Sequence, residues 1–303
     1  MRSLPIRLLS PFTSNILASY PLYYDDRELW LTPHSLLFHP RDGRIFYAGG
    51  ENGVCVFDMN RDGEGPYAQT FEARWKRKKL LRHGVPMGHQ EEGLGQRGLS
   101  RGLVSALAMN MEGCLAAGTF TGEVGITNTN SEEGTVVKLA LPADAGAGVT
   151  GLKFHPDPSR QNYLVTASRK ADALHVFDVR NPGSSLASLE NRKAMTPQRM
   201  GFDVTDEGEV WAGGTDGSIR VWEEVGLREG AIAPRRTINA HGDTVSGVGW
   251  HPGGAGVLAT CAGSRKHVDL ESDDVEVCEP LETGASMKLW NLSQPKSANG
   301  TSI

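Results

Sequence analysis

Residues 199–223 read RMGFDVTDEGEVWAGGTDGSIRVWE. An apolar alternation opens the stretch and ends in a polar turn. A second apolar run closes on the small residues Ala212-Gly213-Gly214, a glycine turn follows, and a third run ends on Trp222-Glu223. Alternation at period two gives a strand one buried and one exposed face. Glycine supplies the positive backbone angles that tight hairpins demand. The stretch therefore specifies three short antiparallel strands joined by two hairpins.

The same grammar recurs along the chain. It governs 35–58 (SLLFHPRDGRIFYAGGENGVCVFD), 150–178 (TGLKFHPDPSRQNYLVTASRKADALHVFD) and 245–262 (VSGVGWHPGGAGVLATCA), the last continued by ASMKLWN at 285–291. A weaker copy, VSALAMNMEGCLAAGTFTGEVGIT, fills 104–127. First strands end near His-Pro or an equivalent pair, and third strands end in Phe57-Asp58, Phe177-Asp178, Trp222-Glu223 or Trp290-Asn291. A less regular fourth strand follows, as at Tyr67–Phe71. Small residues at the ends of second strands suit a crowded centre where sheets converge. Four strands repeated every ~40–50 residues are the signature of a WD40 β-propeller. The expectation is an all-β fold of five four-stranded blades. Residues 1–22 supply an additional half blade, with 5–12 as a third strand and 15–22 as a fourth. Such an entry in mid-blade reads as part of a seven-blade ring. Blades occupy 23–292, and 293–303 form a disordered tail.

Composition agrees. The chain has 303 residues, 39% hydrophobic, with 37 glycines. That is enough apolar material for a core and an excess of turn formers. Thirty-one basic against 36 acidic residues leave a net charge of −5, which excludes a uniformly basic nucleic-acid binder but not a local basic patch. The four cysteines, Cys55, Cys114, Cys261 and Cys278, are too scattered for a disulfide scaffold or a zinc knuckle, and fit a reducing compartment. No apolar run approaches the ~20 residues of a membrane-spanning helix.

Two insertions interrupt the repeat. The first, 72–102, carries Arg74, Lys76, Arg77, Lys78, Lys79 and Arg82 around Trp75. It reads either as a phosphate-binding or nuclear-import segment or as a solvated basic loop. The second, 263–285, carries Asp269, Glu271, Asp273, Asp274, Glu276, Glu279 and Glu282 with no base between them. Like-charge blocks of this kind stay disordered, and this one lacks the glycine-centred carboxylate pattern of a calcium loop. In an up-and-down blade the second and fourth strands run the same way. The basic loop leaves a fourth strand, whereas the acidic loop and the Arg169-Lys170 turn leave second strands. All three are expected on one face, with the six basic residues of 74–82 and Arg169 and Lys170 as candidate RNA contacts.

Nothing points to an enzyme. There is no Walker A loop, nucleophile elbow or H-E-x-x-H helix. GGENG and GGTDG fall at hairpin positions. His39, His155 and His251 recur at one position of three blades, so a shared turn accounts for them better than a metal triad. His241, in AHGDTV, fits a hydrogen bond within its blade, and Asp216 is placed in the same network. No catalytic residue, metal, cofactor or small-molecule substrate is expected.

The details go further. ILASYPLYYDDRELWLTPHSLLFHPRDGRIFYAGGENGVCVFD, ASRKADALHVFDVR at 167–180 and PQRMGFDVTDEGEVWAGGTDGSIRVWE at 197–223 resemble segments of the telomerase Cajal body WD40 family. Arg169-Lys170 and Gln198-Arg199 with Phe202-Asp203 are the specific parts. The fungal members of that family include a splicing-associated nuclear protein. The resemblance implies a nuclear, non-catalytic scaffold, with cytosol as the other compartment. Its implied partners are small nuclear or Cajal-body-type RNA, telomerase RNA among them, or proteins of small nuclear ribonucleoproteins (snRNPs). Its implied role is pre-mRNA splicing or particle localisation. The alternatives are a protein-interaction propeller without RNA contact and a propeller-based enzyme.

Overall fold

The computed structural model describes residues 5–24, 29–30, 32–51, 53–71, 102–131, 135–253, 256–263 and 284–292. The fold is an all-β propeller, and no helix occurs among the described residues. Two hairpins come first, β1 (Ile6–Leu9) with β2 (Ile16–Tyr20) and β3 (Tyr23–Tyr24) with β4 (Leu29–Trp30). Blade 1 is β5 (Ser35–Phe38), β6 (Ile45–Gly50), β7 (Gly53–Asp58) and β8 (Ala68–Thr70). Blade 2 is β9 (Val104–Met109), β10 (Cys114–Thr119), β11 (Val124–Asn128) and β12 (Val137–Lys138). Blade 3 is β13 (Ala147–Phe154), β14 (Tyr163–Arg169), β15 (Leu174–Asp178) and β16 (Ala187–Leu189). Blade 4 is β17 (Phe202–Val204), β18 (Val210–Gly213), β19 (Ser218–Trp222) and, after the short β20 (Gly230–Ile232), β21 (Arg236–Asn239). Blade 5 is β22 (Val245–Trp250), β23 (Val257–Ala262) and β24 (Ser286–Asn291).

The first strands β5, β9, β13, β17 and β22 pack in succession around the centre. The core is divided among the seams between neighbouring sheets. Val54 and Val56 of blade 1 meet Val104 and Leu115 of blade 2. Ala106, Ala108 and Ile126 of blade 2 meet Leu152, Phe154 and Phe177 of blade 3. Val165, Leu174 and Val176 of blade 3 meet Phe202, Val204 and Trp222 of blade 4. Trp211, Ile219 and Val221 of blade 4 meet Val245 and Leu258 of blade 5. The β1–β2 hairpin places Tyr20 and Leu22 against Phe46 and Phe57 on the free side of blade 1. The recurring aromatic-acid pair now has a physical role. The aromatic fills a seam, while Asp58 and Asp178 accept the backbone N–H two residues on and close the next turn, at 2.9 and 3.0 Å.

Three features differ from the repeat reading. Residues 23–30, which precede the first copy of the repeat, contain the β3–β4 hairpin. Strand β20 leaves blade 4 and adds in parallel to the outer edge of β16 in blade 3, where Ile232 is buried against Leu189. An open strand edge offers unpaired N–H and C=O groups, and the long β19–β21 connection reaches it. Blade 5 shows three described strands instead of four, since anything beyond Leu292 lies outside the described residues.

Candidate functional site

Antiparallel pairing puts the ends of all second and fourth strands on one face of the disc, here the first face. The ends of β8, β14 and β23 therefore share it. The basic run 74–82 and the seven acids of 269–282 lie outside the described residues. Arg169 and Lys170 are described, and a connected set of loops surrounds them.

Arg169 closes β14 and lays its guanidinium 4.1 Å over the ring of Phe120, which lies in the turn after β10 of blade 2. His34, before β5, meets the other edge of this group at 6.1 Å from the Phe120 ring. A cation over an aromatic face is attracted by the ring quadrupole. Lys170 is exposed and takes a left-handed backbone, φ 52°, with its N–H donating to Thr196 O at 3.0 Å. Two more left-handed residues, Asn191 and Lys193, both at φ 61°, fall in the adjoining loop 190–201 between blades 3 and 4. Such backbones cost L-residues roughly 1 kcal/mol or more each. Here the surroundings hold them. Asp172 Oδ1 accepts the Ala194 N–H at 3.0 Å and Asp172 O accepts that of Arg192 at 2.8 Å. Lys193 O accepts both the N–H and the hydroxyl of Thr215, at 2.7 and 2.9 Å.

Two arginines in this loop were not singled out as site residues by sequence reasoning. Arg192 is fully buried, donates to Met200 O at 2.8 Å and to Gly201 O at 3.3 Å, and leaves Nε without a partner. Burial pulls its pKa down to about 10, opposed by Asp172. Arg199 is exposed and its guanidinium donates to Ser105 O at the start of β9, tying the entry of blade 4 to blade 2 past blade 3. The Gln198-Arg199 pair in the resemblance was the available signal for the second. Arg192 and Lys193 sit in a loop with no counterpart in the other blades, so the repeat carried no information about them. Arg169, Lys170, Lys193 and Arg199 thus share this face, with Arg169 stacked on Phe120. Asp144, Asp172 and Asp243 lie in loops that leave second or fourth strands on the same face.

The histidine trio lies on the opposite face and behaves as a repeated turn. His39, His155 and His251 donate their backbone N–H to Ile45 O, Tyr163 O and Val257 O, each at 2.9 Å. Their Nδ1 atoms accept the N–H of Arg41, Asp157 and Gly253 at 3.2, 3.1 and 3.0 Å. His241 joins Thr260 Oγ1 and Ser286 Oγ at 2.8 and 2.7 Å, and Thr260 Oγ1 also accepts Trp290 Nε1 at 2.9 Å. Asp216 is not in this network. It pairs with Arg220 at 2.6 Å, because the hairpin turns its carboxylate back along its own strand and presents only the Gly217 carbonyl to the 240–241 backbone.

Sheets of three to five strands set around a centre, stitched by His-Pro turns and a Trp-Thr-His relay, define a WD40-type propeller. The comparisons with known proteins agree. The chain is 28% identical over 277 residues to guanine nucleotide-binding protein negative regulator 1 of Schizosaccharomyces pombe, covering 91% of this chain and 62% of that protein. It is 30% identical over 268 residues to telomerase Cajal body protein 1 of Mesocricetus auratus, covering 87% of this chain and 44% of that protein. The chain therefore spans less than two thirds of either relative. No family model matches it. Among solved structures it resembles the computationally designed Ika8 protein, with a TM-score of 0.54 and 16% identity over 95% of this chain and 65% of that one. That likeness concerns the fold alone.

Proposed function

We propose that the chain is a non-catalytic scaffold of nuclear RNA–protein particles. Its first face holds a small nuclear or Cajal-body-type RNA, or the proteins of a snRNP, in support of pre-mRNA splicing or particle localisation. The observation that carries this reading is the Arg169–Phe120 stack beside exposed Lys170. Unstacked bases pack on aromatic rings and guanidinium planes, while lysines meet phosphates. Arg74, Lys76, Arg77, Lys78, Lys79 and Arg82 add charge in a loop that leaves the same face. Similarity to a telomerase Cajal body protein supports the nuclear setting.

The test is RNA retention across a salt series. Each phosphate neutralised on a single strand contributes a slope of about −0.7 in log affinity against log salt. Replacing the six basic residues of 74–82 flattens the slope for every RNA. Replacing Arg169 and Lys170 reduces the preference for cognate over random RNA. An unchanged slope in the first variant, with loss of nuclear accumulation, assigns that run to import and removes it from RNA binding. A second reading is a protein-interaction propeller without RNA contact. The carboxylates of Asp144, Asp172 and Asp243 on the same face favour it, since they repel phosphate and complement a mixed-charge protein surface. Salt-resistant partner binding that survives ribonuclease selects this second reading.

A further inference from the structure

We infer that a groove on the face of the His-Pro turns receives a basic segment of a partner protein, with a lysine or arginine side chain seated between the β17–β18 turn and Trp250. The groove has a volume of about 620 Å³. The ends of β13, β17 and β22, the first strands of three consecutive blades, supply Lys153, Asp203, Val204 and Trp250 to its walls. Those blades are sealed to one another where Val165 meets Phe202 and where Trp211 meets Leu258. The groove therefore lies between neighbouring blades and is neither of the two open sides of the arc. Arg169 and Phe120 are on the opposite face, so the inference does not rest on the RNA reading.

Part of the charge in the groove is already committed. Asp203 Oδ1 accepts Lys153 Nζ at 2.6 Å and its Oδ2 accepts the Trp250 N–H at 2.9 Å, so one carboxylate ties three first strands together. Glu209 Oε2 accepts Trp211 Nε1 at 2.7 Å, and its Oε1 pairs with Arg236. Asp206 and Glu207 differ. Both line the groove and are exposed, and among the described residues neither carboxylate has a hydrogen bond or an ion pair. Arg160 reaches this turn, but its guanidinium pairs with Asp157 at 3.7 Å and donates to the Glu207 carbonyl at 3.4 Å. His155 feels the charge of Asp206, but burial holds its pKa below the ordinary 6.5, so at neutral pH it brings no positive charge.

The remaining surfaces define the occupant. Trp250 is held edge-on against Trp211, with ring centroids 5.1 Å apart, and Pro156, Pro252 and Val204 add apolar lining. A cation is drawn both to an aromatic ring and to unpaired carboxylates in a cleft. A long aliphatic stem covers apolar surface while its charged end stays at the polar edge. Lysine and arginine combine the two. Four carboxylates line the groove against one lysine, so phosphate is repelled and RNA does not suit it. A metal ion does not suit it either, because among the described residues no group of His, Cys, Asp and Glu is assembled to hold one. The volume falls in the ~300–1,000 Å³ range of ligand sites, which leaves room for the basic side chain and the backbone on either side of it.

The test is fluorescence anisotropy of labelled nonapeptides with the full chain at physiological salt, where attraction between exposed charges is screened beyond ~8 Å. The peptides alternate alanine with lysine, arginine, glutamine or glutamate. The lysine and arginine peptides are expected to bind, and the glutamine and glutamate peptides are not. Asp206→Asn with Glu207→Gln weakens binding by more than about tenfold, with the thermal unfolding midpoint preserved as the folding control. Asp273→Asn with Asp274→Asn removes the same charge from the acidic run and leaves binding unchanged. Arg169→Ala with Lys170→Ala, which tests the RNA reading, also leaves it unchanged. Absence of binding by the lysine and arginine peptides up to millimolar concentration overturns the inference. So does equal binding of the glutamine peptide, binding that survives Asp206→Asn with Glu207→Gln, or an equal loss in the two charge-matched variants.

Discussion

At the scale of single residues, close approach between blades rests on glycine. A β-carbon at Gly213 would lie 2.1 Å from Val245 O in the next blade, and one at Gly118 would lie 2.5 Å from Val149 Cγ1. Gly213→Ala is therefore expected to destabilise the fold by about 1–3 kcal/mol through overpacking, read as a shift of the urea midpoint at constant slope. Buried histidines set a second limit. His155 and His175 are both buried, and burial is the main cause that lowers each pKa below the ordinary 6.5. For His155, Arg160 adds to the shift while Asp157 and Asp206 oppose it, and for His175 Asp144 opposes it. Neither ring nitrogen of His175 has a hydrogen-bond partner. The folded state keeps both rings neutral, whereas the unfolded chain protonates them once pH falls below about 6.5. The unfolded state then binds more protons, so stability is constant above that pH and declines below it, down through the folded values. The limiting slope is about 1.4 kcal/mol per pH unit for each ring. His175→Phe is expected to narrow the stability difference between pH 7.5 and pH 5, measured by urea unfolding at both.

At the scale of elements, the loop 190–201 is held by one side chain. Arg192→Met keeps the apolar stem but leaves the Met200 and Gly201 carbonyls without the guanidinium. The expected cost is about 1–3 kcal/mol, with faster amide exchange confined to this loop and the neighbouring Thr215 turn. Arg169→Ala removes a half-buried contact with Phe120 worth ~0.5–2 kcal/mol and leaves exchange in 190–201 unchanged. The two loops also show what sequence can carry. The grammar of alternation, glycine turn and aromatic end located β5 to β7, β9 to β11, β13 to β15, β17 to β19 and β22 to β24, because local periodicity determines which side of a strand is buried. It also placed the three His-Pro turns. It did not reveal β20, whose parallel pairing depends on an edge left open some forty residues earlier. Nor did it reveal Arg192, whose meaning lies in two carbonyls that come within reach only once the loop has closed. Arg169 was legible as a basic turn residue, but its partner Phe120 belongs to another blade and no local pattern joins the two.

At the scale of the whole molecule, the core has no single centre. It is divided into seams, each built from two sheets, and an inner blade removed from its neighbours would expose both apolar sides to water. Repeat arrays of this kind unfold together when the interface terms exceed what each repeat contributes alone. The blade 3–blade 4 seam tests this coupling, because Leu174 is fully buried there among Phe202, Trp222 and their neighbours. Leu174→Ala leaves a cavity and is expected to cost about 2–5 kcal/mol. In a Trp30→Phe, Trp75→Phe, Trp222→Phe background the remaining tryptophans, Trp211, Trp250 and Trp290, report separately on the blade 4–blade 5 seam, where they pack together. If the seams act as one cooperative unit, tryptophan fluorescence and far-ultraviolet circular dichroism of Leu174→Ala shift to a lower urea midpoint by the same amount, and the two curves superimpose. A fluorescence transition that stays at the wild-type midpoint while the dichroism signal moves would show blades 4 and 5 unfolding on their own. The seams would then be independent units, and neither the Gly213 nor the Arg192 effect could be read as global stability.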